Sequence, residues 1–354
     1  MLIKIFLTLT IIIPIFILYI NATAKVTGLC VNCHTMHYSQ DGTQLPDWGS
    51  EGPYPFLNTK SCMGCHTSTA GNTIIHIGGS EIPVVFNTGG YPAQPLAGGN
   101  FYQVSQGGAG NDPYGHNVNG ISDADANLIY VPGQSIGGND TLSITDCYNC
   151  HRFFAGNPGY PFTRSRNGDV LLCEDCHTAQ HHADDSSTVV DGTGGWYRFI
   201  YEVKGIEDPD WEQTVSPTDH NEYQGETSAF GGSISDLGCA CHGNFHALRN
   251  PEAVGSGSPW LKHPADVALP SSGEYSAYTT YNPEAPAARP NLSGYTGSSQ
   301  TVTPGTDQVM CLSCHRPHGS QYPDILRWDY GDMVAGGGGS GGCFTCHTQK
   351  SQAP

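Results

Sequence analysis

The chain has 354 residues, with 32 acidic against 14 basic side chains for a net charge of −18. That acidity argues against nucleic acid as a partner. Its 46 glycines and 24 prolines, about a fifth of all residues, argue against an ordinary helical or sheet core. The expected fold is therefore mostly irregular coil with short helices and a few short strands, and something other than side-chain hydrocarbon must supply apolar mass to offset the ordering entropy.

Residues 1–24 carry one basic residue, Lys4, then an apolar run from Ile5 to Ile20, then the small-residue close Ala22, Thr23, Ala24. This is the pattern of a secretory signal peptide cleaved before Lys25, an uncleaved anchor being the alternative. No later stretch approaches the ~18 apolar residues of a membrane span. The mature chain, residues 25–354, is thus expected to be one exported domain with no membrane span.

All 14 cysteines fall in pairs, and a histidine follows each pair at once: Cys30/Cys33 with His34, Cys62/Cys65 with His66, Cys147/Cys150 with His151, Cys173/Cys176 with His177, Cys239/Cys241 with His242, Cys311/Cys314 with His315, and Cys343/Cys346 with His347. Six of the seven read C-x-x-C-H, the attachment signature of c-type haem. The chemistry needs that spacing. Two thiols add to the vinyl groups on one porphyrin edge, and the adjacent imidazole reaches the iron as proximal ligand. Disulfides and zinc also use paired cysteines, but neither explains seven histidines in the same place. At Gly238-Cys239-Ala240-Cys241-His242 the first cysteine arrives one residue late. That site is read as a seventh haem held by one or two thioethers, against the alternative of a haem-free remnant.

Nine histidines remain as distal candidates: His37, His76, His116, His181, His182, His220, His246, His263 and His318. Methionine cannot meet the demand of seven irons, because Met36, Met63, Met310 and Met333 alone survive cleavage and the first three lie beside or inside an attachment motif. Bis-histidine, low-spin haems are expected. His37, His181, His182, His246 and His318 each follow a proximal histidine within a few residues. Trans ligands lie on opposite faces of the ring, so such a residue is expected to serve a different, neighbouring iron. By this count two histidines are spare, one of His181 and His182 and one of His76, His116, His220 and His263.

Attachment sites come as pairs near residues 30–66, 147–177 and 311–347, with a single near 239–242. Helices are expected as single turns at these motifs. Long spacers, 67–146, 178–238 and 247–310, are rich in Gly, Asn, Ser, Thr, Tyr and Pro. Unstructured loops of that length suit a chain wrapped on haem faces rather than an ordinary domain. The run Trp196 to Lys204 (WYRFIYEVK) reads as a short strand. The run Gly337 to Gly342 reads as a flexible or close-approach loop, since no phosphate-binding motif follows it.

CVNCHTMHYSQDG and CLSCHRPHGS resemble the doubled CXXCH motif of multihaem c-type cytochromes, which include outer-surface cytochromes of metal-reducing bacteria, some of them nanowire-forming. The resemblance covers the haem segments. It implies a polypeptide wrapped around a stacked haem chain, with extracellular electron transfer as its task and redox proteins or extracellular acceptors as its partners. Filament assembly is implied too. The first motif begins five residues after the expected cleavage site and His347 lies seven residues from Pro354, so a homopolymer joined head to tail is the expected assembly. Monomeric electron shuttling in the periplasm is the alternative. A multihaem oxidoreductase is a further one, but no C-x-x-C-K site is present and no residue is expected to be catalytic in the bond-breaking sense.

Overall fold

The computed structural model describes residues 29–30, 33–34, 62–77, 79–125, 171–183, 189–190, 195–200, 202–226, 232–235, 242, 245, 263 and 265–352. The signal segment, the third attachment motif and the cysteines of the fifth lie outside these residues.

Where the sequence repeats, the local structure repeats with it. At each described C-x-x-C-H motif the second cysteine donates its backbone N–H to the carbonyl of the first, at 3.2 Å for Cys33, Cys65 and Cys176 and 3.3 Å for Cys314 and Cys346. The histidine donates to that same carbonyl. The His N to Cys O distances are 2.7 Å at Cys30, 3.0 Å at Cys62, 2.9 Å at Cys173, 3.1 Å at Cys311 and 3.0 Å at Cys343. Single 3₁₀ turns result, over Cys62–Gly64, Cys173–Asp175, Cys311–Ser313 and Gly342–Thr345. Two of them are fastened at the start by the residue just before the second cysteine. Asp175 Oδ2 accepts from the Leu172 N–H at 2.8 Å, and Ser313 Oγ from the Met310 N–H at 3.0 Å. Side-chain capping of this kind satisfies a donor that so short a helix leaves orphaned.

Strands are two to four residues long. A parallel pair joins β1 (Thr67–Ser68) to β4 (Phe86–Asn87), and a hairpin joins β2 (Ile74–Ile77) to β3 (Ser80–Pro83) with Ile75 opposite Ile82 and His76 opposite Glu81. The three-stranded sheet has the order β5 (Val189–Val190), β6 (Gly205–Ile206), β7 (Glu222–Tyr223), and the last pair is β8 (Val267–Ala268) with β9 (Gln308–Val309). Coil with single helical turns at the motifs and short strands is thus the fold, and among the described residues no helix is long and apolar enough to cross a membrane.

The strand expected over Trp196 to Lys204 is not one. Tyr197–Phe199 forms a 3₁₀ turn in which Arg198 and Phe199 have φ of 49° and 61°, and the strand begins only at Gly205. Polar anchoring overrides the β-branched and aromatic composition there. The Arg198 N–H donates to Glu207, and its guanidinium donates to the Asp208 carbonyl and the Asn221 side chain.

Among the described residues, apolar side chains gather in three small clusters, each touching an attachment motif. Phe101, Val104 and Val118 pack with Leu171 and Cys173; Leu269, Tyr278, Tyr281, Ala287 and Val302 pack with Cys346; Met310 and Leu312, which flank Cys311, join Tyr197, Ile200, Val203, Tyr223, Ile234 and Ala288. Between them lies a buried ion network, in which Arg289 pairs with Glu222 at 2.6 Å and Asp307 at 2.7 Å. Gly99, at φ +87°, lets residues 96–100 press against 316–319, since a Cβ there would meet the Gly319 carbonyl and the Arg316 Cβ.

Candidate haem-binding site

Described histidines meet in pairs at one repeated distance. Ring centroids lie 5.9 Å apart for His34 and His182, 6.3 Å for His66 and His181, 5.9 Å for His177 and His318, 6.3 Å for His116 and His242, and 6.3 Å for His263 and His347. Direct stacking is much closer, as His220 on Tyr281 shows at 3.5 Å. Two imidazoles bonded to opposite sides of one metal, at about 2 Å per metal–nitrogen bond, have centroids about 6 Å apart. The gap in every pair therefore fits one iron. Each pair joins a histidine of an attachment motif to one of the remaining nine.

The other ring nitrogen is tied down in the way metal ligands require, because a hydrogen bond at Nδ1 fixes the tautomer and orients Nε2. Nδ1 of His66 donates to the Pro83 carbonyl at 2.8 Å, that of His116 to Pro317 at 2.6 Å, that of His177 to Arg198 at 2.9 Å and that of His315 to Asp324 at 2.8 Å. His347 differs, for its Nδ1 lies 3.3 Å from the carboxylate oxygen Oε1 of Glu274. His318 differs again, since its buried Nδ1 has no hydrogen-bond partner in the protein. The turn at Arg198 that broke the expected strand is what aims its carbonyl at His177.

Burial favours the neutral form, the one that binds metal, at six of the candidate imidazoles. It lowers the pKa of His66, His116, His177, His181 and His315, and drives His318 down to about 3 with help from the neighbouring His177. None of the ten described cysteines is in a disulfide. Burial first, and the neighbouring cysteines next, push Cys65 up to about 11 and Cys314 up to about 12. Cysteines outside disulfides beside paired imidazoles are the residues that covalent haem attachment requires.

The first cysteines of the second and fourth motifs meet. Cys173 shares a side-chain hydrogen bond with Cys62 of the second motif, which lowers the Cys62 thiol and raises that of Cys173. Cys176 lies at the other end of the fourth motif's turn. It closes the 3₁₀ turn, half-buried, with φ −113° and ψ −34°, and carries the hydrogen bond to the Cys173 carbonyl described above. The physical reason is packing between motifs: the two turns stand close enough for their first cysteines to meet, whereas spacing within one motif governs only Cys176 and His177.

Of the sequence-selected histidines, both His181 and His182 face a motif imidazole, whereas the count of ligands left one of them over. His76 lies exposed on β2 opposite Glu81. His220 is 1% exposed, with Nδ1 2.8 Å from the Asn221 carbonyl and Nε2 3.2 Å from that of Pro217. His37, His151 and His246, with Cys147, Cys150, Cys239 and Cys241, lie outside the described residues. Sequence reasoning did not find the acceptors of the Nδ1 bonds. Four are backbone carbonyls, which every residue has, and Glu274 is 73 residues from His347.

Residues 303–352 match the doubled CXXCH motif family. Over 364 aligned positions the chain is 26% identical to C-type cytochrome OmcS of Geobacter sulfurreducens, covering 85% of this chain and 78% of that one. Two solved structures are similar. One is the outer membrane cytochrome S filament from the same organism, with a TM-score of 0.46 and 18% identity over 87% of this chain and 85% of that one. The other is a cryo-EM structure of OmcS nanowires, with a TM-score of 0.43 and 17% identity over 86% and 84%.

Proposed function

We propose that this chain is a heptahaem c-type cytochrome of the cell exterior that carries electrons along a head-to-tail filament of its own copies. The observation that carries this reading is the set of five imidazole pairs, each with a covalent attachment motif on one side and a centroid gap that fits one iron. The similarity to C-type cytochrome OmcS supports extracellular electron transfer as the task.

Haem, when bound, takes up and releases one electron at its iron, and the protein spaces, ligates and insulates it. His34, His66, His177, His242 and His347 would hold the irons of the paired sites from the attachment side, and His182, His181, His318, His116 and His263 would hold them from the other. Each of the six regular motifs supplies two thioethers, Cys173 and Cys176 among them. His151 and His315 then still need partners. Two of His37, His76 and His246 remain for them, within the chain or from an adjoining subunit, while His220 is held by backbone carbonyls and is one of the two spares. Cys241, with or without Cys239, holds the irregular seventh haem. Ligands from one motif reach the next, so the spacers pack as coil on a continuous haem stack.

The test is the mass of the mature protein together with imaging of native material. A polypeptide beginning at Lys25 with seven haems, in filaments outside the cell, is the expected result. Six haems would remove the site at Cys239 and Cys241, and monomers confined to the periplasm would replace the filament with a shuttle.

A further inference from the structure

We propose that Glu274 is a positioning residue that holds the potential of the His347 haem below what a backbone-carbonyl acceptor would give, and so biases the electron path at that site. The proposal rests on the assignment of His347 and His263 as a ligand pair.

Six imidazoles of the candidate sites show how their Nδ1 is treated, and they fall into three grades. His66, His116, His177 and His315 donate to neutral backbone carbonyls. His318 donates to nothing in the protein. His347 alone among them donates to a carboxylate, Glu274 Oε1. An anionic acceptor draws the Nδ1 proton harder than a carbonyl does, so Nε2 becomes a stronger electron donor to whatever it ligates. A stronger donor favours the oxidised iron.

Glu274 is built for this one contact. Its side chain is 11% exposed, and its second oxygen, Oε2, is buried without a hydrogen-bond partner. Lys350 stands 3.8 Å from Oε1 but is 64% exposed. The carboxylate is also held in place. Glu274 lies in the turn Gly273–Ala277, whose Tyr275 ring packs edge-on against His347 at 5.1 Å and whose Glu274 carbonyl accepts from the Thr348 hydroxyl. In the redox step the iron gains one electron from a neighbouring haem or a mediator. No bond forms or breaks, and the Nδ1 proton stays on the ring in both states.

The ring angles supply a way to read this haem among seven. His263 and His347 planes cross at 82°, whereas the other four described pairs cross at 19°, 22°, 43° and 48°. Near-perpendicular axial imidazoles leave two iron d orbitals nearly degenerate and give a highly anisotropic low-spin electron paramagnetic resonance signal; near-parallel ones give an ordinary rhombic signal. A redox titration that follows the anisotropic signal, assigned to this haem by its loss in His263→Ala, reports on the His347 haem.

Glu274→Gln in the full-length holoprotein is expected to raise the midpoint of that signal by about 59 mV or more, a tenfold change in a one-electron equilibrium, and to leave the rhombic signals where they were. Tyr275→Phe, which keeps the ring and the carboxylate, leaves both unmoved. An unshifted anisotropic signal in Glu274→Gln, or an equal shift of every haem, overturns the proposal. Should that variant lose a haem by mass, Lys350→Ala takes its place. Removing the ammonium lowers the same midpoint, and no change there overturns the proposal equally. If His347 and His263 were not a ligand pair, the parent protein would lack the anisotropic signal or His263→Ala would keep it, which separates failure of the assignment from failure of the Glu274 effect.

Discussion

His116 donates its Nδ1 hydrogen bond to the carbonyl of Pro317 at 2.6 Å, across 201 residues of chain. Pro317 sits between His315, the histidine of an attachment motif, and His318, which faces His177. Residues 315–318 thus touch three imidazole sites at once: their own, that of His177, and the His116–His242 pair. Residues 173–182 do the same, holding His177 at its own motif while His181 and His182 face His66 and His34. Neighbouring sites are therefore coupled through a few rigid residues, and a change at one should register at the next.

Removing a distal imidazole makes the most direct test. His318→Ala is expected to leave the iron of His177 five-coordinate, with a new high-spin signal and binding of about one carbon monoxide per chain on reduction. An all low-spin spectrum would assign His318 elsewhere.

Gly99→Ala should disturb the same iron from a distance. Its positive φ and the contacts a Cβ would make with Gly319 and Arg316 oppose any side chain. Strain of about 1–3 kcal/mol is expected, with the His177 haem the first to show altered ligation on heating. Thermal melts followed by haem absorbance check this, and Gly107→Ala, also at positive φ but with open space around its Cβ, is the control for backbone strain alone.

His220→Phe separates structural from ligating histidines. The ring is buried and stacks on Tyr281 at 3.5 Å with 5° between planes. Losing its bonds to the Pro217 and Asn221 carbonyls should cost about 1–3 kcal/mol in chemical denaturation, while haem content and the low-spin spectrum stay as in the parent. A new high-spin haem would make His220 a ligand.

Arg289→Met leaves Glu222 and Asp307 buried without their cation. A loss of about 3–5 kcal/mol is expected. Arg289 also lies over the rings of Tyr281 and Tyr295, so the unfolding midpoint should fall further than for His220→Phe.

Stability should depend on pH through Asp208. Burial, then its hydrogen bond with Asp210, raises the Asp208 carboxyl from 3.8 to about 7. Between those values the folded chain holds a proton that the unfolded chain has released, so stability falls as pH rises through this window and levels off above it. Asp210 is shifted down, its bonds to Asp208 and Thr214 outweighing burial, and its contribution is lost only as pH falls below the ordinary carboxyl range. Asp208→Asn should flatten the fall between 3.8 and about 7 in unfolding midpoints measured across that range, while a parent whose stability rises over the window would contradict the shift.

Much was legible in the chain before any coordinates, because haem attachment is local chemistry. Two thiols and an imidazole must lie within five residues, so C-x-x-C-H names the proximal ligand by itself, and the single helical turns at the motifs follow from the same spacing. Composition carried the fold class, since glycine and proline on this scale leave room only for coil and short strands. Pairing was another matter. Which distal histidine faces which motif depends on contacts such as His318 with His177, far apart in the chain, and the ligand count left one of His181 and His182 over although each faces a motif imidazole. Spacing joins Cys173 to Cys176, but only packing brings Cys173 to Cys62. The carbonyls of Pro83, Arg198, Pro317 and Asp324 could not be singled out either, since every residue carries one and only the turn of the backbone aims it. The Arg198 turn shows the reason in miniature: WYRFIYEVK has strand composition, yet Glu207, Asp208 and Asn221 capture Arg198 and fold it against His177. Local spacing determined what each motif binds; long-range packing decided which motifs stand together.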